Sequence, residues 1–307
     1  MKILITGATG LLGRSLVKSA LSQGFKINFL TSRKSKINCF DNAKGFYWDL
    51  LKGDIDTNCF LGVDIIIHLS GASISKLWTT SHKKLIYSSR IESTRLLISS
   101  LKKIQGKHHV KQIIAASAIG IYPSDFKKTF TETAKVYPNT FMEKVVIAWE
   151  NEVDLFSSLK ISVTKMRIGL VLSNEGGVLS PLKIPTSFGL GMAFGNGNQG
   201  QSWIHISDVI GIFFKACREK WEGVYNVVSP NPVNQVDFIL ALSKALKRPY
   251  FLPSIPKILL KILIGEMSSL VLDSHWISAK KVIDKKYKFL HPEINKAMFD
   301  IFNSSKL

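Results

Sequence analysis

The segment "LITGATGLLG", residues 4–13, decides how the rest of the chain is read. Gly7, Gly10 and Gly13 recur at three-residue intervals, directly after an apolar run that starts at Lys2. A strand that ends in glycine and turns into a helix brings free backbone N–H groups and the positive end of the helix dipole to one point. That arrangement suits the pyrophosphate of a dinucleotide. The glycines permit the tight turn and the close approach of backbone to phosphate. Thr9, Leu11 and Leu12 line the same loop.

The end of the second strand indicates which dinucleotide. A site for NAD usually carries a carboxylate there, for the ribose 2′-hydroxyl. This chain has "FLTSRKSK" at 29–36, with Ser32, Arg33, Lys34 and Lys36 and no carboxylate. Arg33 follows Gly13 by twenty residues, and a guanidinium suits a 2′-phosphate. The expected cofactor is NADP(H).

Outward from the glycine segment, strand and helix patterns alternate. "FKINFLTS", "GFYWDL", "VDIIIHLSG" and "VKQIIAASAIGIY" read as strands, and "ISVTKMRIGLVL" (161–172) as a single sixth strand. Helical spacing runs through 11–24, 79–104 and 139–158. The expected fold class is α/β, a Rossmann-like doubly wound parallel sheet with a smaller, loop- and helix-rich C-terminal substrate domain. The expected division is 1–172 plus about 203–229 for cofactor, and about 173–202 plus 230–307 for substrate. Asn234 is expected to cap a helix over 234–248. "IPKILLKILIGEMSSLVLDS" (255–274) reads as a buried helix with a turn at Gly265. It is too interrupted by charge and proline to span a membrane.

Composition narrows the class. The chain has 307 residues, 46% hydrophobic and 21% charged, which suits a globular protein with a sizeable core. Cys39, Cys59 and Cys217 are scattered, so neither a disulfide framework nor a zinc ribbon is expected. With no secretory signal before the first strand, a cytoplasmic location is expected. The net charge of +19 is spread along the chain without interleaved aromatics. Neither a nucleic acid nor a membrane is therefore an expected partner; a small-molecule substrate is.

Several motifs together carry a resemblance: "TGATGLLG", "VDIIIHLSGA", "SSRIESTRLL", "SAIGIY", "NEGGVLSPL", "SWIHISDV", "SPNPV" and "GEMSSLVLDS". The chain resembles the extended short-chain dehydrogenase/reductases of the epimerase/dehydratase group, in particular an atypical branch of uncertain substrate. The resemblance implies a Rossmann-like domain binding NADP(H). Gly7, Thr9, Gly10, Leu11, Leu12 and Gly13 match its phosphate loop, and Ser32 and Arg33 its ribose-phosphate site. Asp49 matches the position near the adenine. Leu69, Ser70, Gly71 and Ala72 match the turn running along the cofactor. Ser117 and Ala118 match the strand end beside the nicotinamide, and Arg167 the end of the sixth strand. Arg90 falls where such enzymes often carry asparagine.

The chain also departs from that pattern. Active members of the larger family carry a tyrosine and a lysine as YxxxK on the helix after the fifth strand. There the lysine lowers the tyrosine pKa and the tyrosine moves a proton as hydride moves. Here the matching helix reads "TFMEKVVIAW", with Phe141 and Val145 at the two positions. Remaining candidates for proton transfer are Ser117, Tyr122 and His205. His68 reads as a core histidine, and no metal site is expected. In related folds the helix carrying Phe141 often forms a subunit interface, so a homodimer is a further expectation. Two functions follow: an NADP-dependent oxidoreductase or epimerase-like enzyme, or a non-catalytic NADPH-binding, redox-sensing protein.

Overall fold

The computed structural model describes residues 1–303. Along the chain run β1 (Lys2–Thr6), α1 (Leu11–Ser22), β2 (Lys26–Thr31), β3 (Ala43–Asp49), β4 (Asp54–Ile55), β5 (Ile65–His68), α2 (Thr80–Lys103) and β6 (Gln112–Ala118). Next come β7 (Thr129–Phe130), α3 (Phe141–Asp154), β8 (Ser162–Ile168), β9 (Leu170–Ser173), β10 (Gly176–Gly177), α4 (Leu179–Ser187), β11 (Gly200–Gln201), β12 (Trp203–His205), α5 (Ile206–Glu219) and β13 (Gly223–Val227). The remainder holds β14 (Val233–Asn234), α6 (Gln235–Ala245), α7 (Lys257–Ile264), α8 (Ser269–Leu272), β15 (Trp276–Ile277), α9 (Lys280–Asp284) and α10 (Ile294–Asn303).

The main sheet is ordered β13-β8-β6-β5-β1-β2-β3-β4. β1 pairs in parallel with β2 and β5, β2 with β3, and β5 with β6; the short β4 runs antiparallel to β3. The chain leaves β1 toward β2 and β3 and then returns to the other side of β1 for β5. The strand order thus reverses between β1 and β5. In an open α/β sheet that reversal opens a crevice at the carboxyl ends of the two strands. β5 is buried on both faces, as the run of isoleucines requires. α1 buries Leu16, Val17 and Ala20 and stops before Gly24, whose φ of +76° needs glycine.

The chain divides into two compact units. The first holds Met1–Ala118, Pro138–Arg167 and Phe213–Tyr225; the second holds Ile119–Tyr137, Ile168–Ile212 and the chain from Asn226 on. The boundaries therefore differ from the expected 1–172 plus 203–229. Residues 119–137 join the second unit, where β7 pairs in parallel with β15. The expected sixth strand is two strands, because β8 lies in the main sheet and β9 pairs with β12 and β10. Gly169 makes the break: a Cβ there would lie 2.3 Å from the Ser202 carbonyl oxygen. The core of the second unit includes Leu172, Leu179, Trp203, Phe238, Leu242 and Met298. Asn234 caps α6 as expected, accepting from the Asp237 N–H at 2.8 Å.

One feature of the second unit corrects the sequence reading and another goes beyond it. The helix expected to be buried is instead exposed along α7, with Ile258 73%, Leu259 46%, Ile262 75% and Leu263 64% accessible and Leu260 turned inward. The expected turn does follow, with Gly265 at φ +56°. The second feature is Asp208 on α5, which is fully buried. It accepts from the Tyr287 hydroxyl (3.0 Å), the Leu290 N–H (2.7 Å) and the His291 N–H (3.0 Å), clasping the segment before α10. Asp208→Asn turns an acceptor oxygen into an N–H that faces these donors. We expect a loss of about 1–3 kcal/mol, read from urea unfolding; an unchanged midpoint would refute the clasp.

Candidate functional site

The first unit builds a cradle at the β1–β5 crevice. Gly7 adopts φ +65°, and a Cβ on it would lie 2.8 Å from the Leu69 carbonyl oxygen. A Cβ on Gly13 would lie 2.2 Å from the Gly7 oxygen, and one on Gly10 3.3 Å from it. The loop from β1 is therefore pressed onto the loop after β5 and onto the first turn of α1. That first turn has no side-chain cap and no acidic residue. Helix α3, by contrast, has a full capping box between Thr140 and Glu143. The uncapped N–H groups of α1, in a glycine cradle at the sheet's switch point, fit an anionic pyrophosphate. A cavity of about 770 Å³ lined by Lys2, Lys26 and Lys44 opens at the opposite, amino-terminal ends of β1, β2 and β3. By topology it is not the dinucleotide crevice.

A directed chain of hydrogen bonds fixes the loop after β5. The buried Thr6 Oγ1 accepts from the N–H groups of Leu69 (3.1 Å) and Ser70 (3.3 Å). Its own proton therefore goes to His68 Nδ1, at 2.8 Å. His68 then carries its proton on Nε2, 3.0 Å from Thr94 Oγ1, which donates in turn to the Arg90 carbonyl at 2.7 Å. Burial pulls the His68 pKa down to about 3, so the ring is neutral. His68 is the core histidine the sequence suggested, and it ties α2 to the cradle. The Ala72 N–H donates to Ser89 Oγ at 2.8 Å, which pins the far end of the same loop.

The charged candidates divide into free and engaged groups. Ser32 and Arg33 are exposed after β2, and Arg33 makes no ion pair among the described residues. Asp49 is partly committed: one carboxylate oxygen accepts from the Leu51 and Lys52 N–H groups and the other from the Tyr47 hydroxyl. The Lys52 amide is the main reason its pKa sits below the usual carboxylate range. Arg90 places Nη1 on the carbonyls of Ala72 (3.2 Å) and Ile86 (2.9 Å) and its guanidinium carbon 5.2 Å from the centre of the Trp149 ring. Burial pulls its pKa down to about 10, so it stays charged at neutral pH, with no carboxylate partner among the described residues. A side chain on Gly71 would meet that guanidinium at 2.9 Å.

Arg167 and Ser117 are engaged elsewhere. Arg167 grips Glu150 with Nε at 2.8 Å and Nη2 at 2.9 Å, and both residues are buried. Ser117 donates its hydroxyl proton to Glu150 at 2.6 Å. In this arrangement the Ser117 proton and the Arg167 Nε and Nη2 groups are committed to Glu150. Glu150 escaped the sequence reading because a glutamate on an amphipathic helix carries no local mark of a strand partner. Phe141 packs edge-to-face on Trp78 with centroids 5.2 Å apart, and Lys83 Nζ lies 4.7 Å from its ring centre. Val145 is buried in the core. Both side chains, which the resemblance matches to the acid–base pair, are thus apolar and packed.

Tyr122 and His205 belong to the second unit. Tyr122 is buried, stacks on Phe130 and donates to Asn226 Oδ1 at 2.8 Å. His205 accepts the Ser207 N–H on Nδ1 at 3.2 Å, so its neutral ring carries the proton on Nε2. It stacks on His291 at 3.8 Å, and burial, then His291, pull its pKa down to about 4. His205, His291 and Asp300 bring three possible ligand atoms within 4.8 Å of one another. A metal ion there would have to displace the Nε2 proton that the Ser207 amide enforces.

Comparison with known proteins agrees with this geometry. The sequence model of the NAD dependent epimerase/dehydratase family matches residues 3–228, and a domain of unknown function, DUF1731, matches 255–301. An epimerase family protein of Staphylococcus saprophyticus, SSP1921, is 34% identical over 97% of this chain and 98% of its own length. SAR0825 of Staphylococcus aureus is 33% identical over 98% of each. Among solved structures, the human epimerase family protein SDR39U1 with NADPH superposes with a TM-score of 0.84 at 23% identity, over the full length of both chains. A nucleoside-diphosphate sugar epimerase from Corynebacterium glutamicum gives 0.77 at 26% identity, covering 98% of this chain and 58% of that one. The glycine cradle, the sheet order and these matches lead to one conclusion: the chain belongs to the NAD dependent epimerase/dehydratase family.

Proposed function

We propose that this protein binds NADP(H) at the β1–β5 crevice and acts on a small molecule as an oxidoreductase or epimerase-like enzyme without the usual tyrosine–lysine pair. The observation that carries the reading is the uncapped amino terminus of α1 inside a glycine cradle, with the unpaired Arg33 after β2. Gly7, Thr9, Gly10, Leu11, Leu12 and Gly13 hold the pyrophosphate. Ser32 and Arg33 take the 2′-phosphate, Asp49 lies toward the adenine, and the Leu69–Ala72 loop runs along the cofactor. Arg90 supplies positive charge behind that loop. When bound, the nicotinamide supplies hydride chemistry. The protons of Ser117 and Tyr122 are held by Glu150 and Asn226. His205 keeps its neutral Nε2 proton at the edge of Asp300. The proton for the reaction then comes from water, from His205 or from the substrate itself.

The packed Phe141 and Val145 favour a second reading, a non-catalytic NADPH-binding protein that reports redox state. NADPH oxidation followed across a panel of carbonyl compounds and nucleotide sugars separates the two. Turnover with any of them supports the enzyme, and tight cofactor binding with silence across the panel supports the sensor. The choice of dinucleotide has its own test. Arg33→Ala removes a charge-assisted contact worth about 1.5–3 kcal/mol. NADPH affinity is expected to fall roughly ten- to a hundredfold, with NADH affinity little changed. Equal losses for both, in a fluorescence titration, would overturn the assignment to NADP.

A further inference from the structure

We propose that α7 is a docking helix for an anionic lipid surface. Ile258, Leu259, Ile262 and Leu263 are all exposed. At about 100° per residue they fall within an arc of about 140° on one side of the helix. Lys261 lies at one edge of that arc, about 60° beyond Ile258, the exposed Lys257 lies farther round on the same side, and the inward Leu260 anchors the far side. The helix is held in place rather than loose: the Ile255 N–H donates to the Ala193 carbonyl at 2.8 Å, and the Gly195 N–H donates to the Ile255 carbonyl at 2.9 Å.

Charge selects the occupant. Between Asp237 and Glu266 the chain carries Lys244, Lys247, Arg248, Lys257 and Lys261 and no carboxylate. Lys247, Arg248 and Phe251 are exposed in the stretch leading to α7. An apolar arc with Lys261 at one edge, in a stretch whose charges are all cationic, matches a bilayer surface: aliphatic side chains enter the acyl boundary while cationic groups beside them reach anionic headgroups. A second copy of the chain fits less well, because a two-fold contact through α7 brings the same lysines together. A nucleic acid attracts the cations but gives Ile and Leu no base face to stack on. The overall charge of +19 adds a general attraction toward a negative surface.

The test is co-sedimentation of the full chain with vesicles of phosphatidylcholine alone, and with vesicles half of whose lipid is phosphatidylglycerol. The protein is expected to sediment with the anionic vesicles. Ile258→Asp with Ile262→Asp, and separately Lys257→Glu with Lys261→Glu, are each expected to weaken binding at least about tenfold. These side chains touch solvent, so melting temperature and NADPH affinity should stay at the parent values in both variants. Absence of binding to anionic vesicles overturns the proposal. So does loss in the lysine variant alone, which would mean plain electrostatic adsorption. A concentration-dependent dimer abolished by the isoleucine variant would assign the face to a second copy instead. The outcome is independent of the cofactor assignment, because no step of the vesicle assay uses NADP(H).

Discussion

Alanine at Gly13 is expected to remove NADP(H) binding and to destabilise the first unit. The new Cβ would sit 2.2 Å from the Gly7 oxygen, 2.6 Å from Ala8 Cα and 2.8 Å from the Ala8 carbonyl carbon. All three are backbone atoms, so no rotamer change relieves the clash. Either α1 moves off the sheet, or the Gly7–Ala8 turn moves away from the helix N–H groups it presents. Overpacking of this kind costs about 1–3 kcal/mol. Displacing the cradle from the pyrophosphate by the same order lowers cofactor affinity roughly a hundredfold. Gly24→Ala is the control. Gly24 also has positive φ, but a Cβ there meets nothing within 4 Å. It should lose a little stability and keep full affinity. If Gly13→Ala binds NADPH as tightly as the parent by calorimetric titration, the cradle is not the cofactor site.

The cradle was legible in the sequence because its cause is local: three glycines within seven residues dictate a turn, a helix start and a close approach. The parallel sheet was legible for a similar reason, since apolar runs alternating with helical spacing leave few other architectures. Causes that lie far along the chain left no such mark. Gly169 splits the sixth strand because of the Ser202 carbonyl, and residues 119–137 join the second unit through the pairing of Thr129 and Phe130 with Trp276 and Ile277. Ser117, Arg167 and Tyr122 were visible as polar groups near strand ends. What occupies them was not, because Glu150 is 33 residues from Ser117 and Asn226 is 104 from Tyr122. The apolar run of α7 misled in another way. Composition reports how favourable burial is, not whether the fold supplies a surface to bury against.

The second large effect is expected at Glu150. Its carboxylate takes two hydrogen bonds from Arg167 and one from Ser117, with Lys165 Nζ at 3.7 Å. The side chains of Glu150 and Arg167 are 6% and 7% exposed, so water relieves neither charge once the partner is gone. Glu150→Ala is therefore expected to cost about 3–5 kcal/mol, mostly the penalty of leaving the buried Arg167 without this carboxylate. Replacing both members by apolar residues of similar size, Glu150→Leu with Arg167→Met, should recover much of that loss. The pH dependence has a definite sign. Burial works to raise the Glu150 pKa, but the hydrogen bond and charge of Arg167, then Ser117 and Lys165, outweigh it, and the folded value lies below the ordinary one. A carboxylate depressed in the folded state contributes stability above its unfolded pKa and loses it as pH falls through the folded value. The parent and Glu150→Gln should thus differ most near neutrality; their unfolding free energies should begin to approach each other near about pH 4, where glutamate protonates in the unfolded chain, and meet only below the depressed folded value. Parallel curves down to acid would mean that the network contributes no ionic stabilisation, and Ser117 would then owe its position to packing rather than to Glu150.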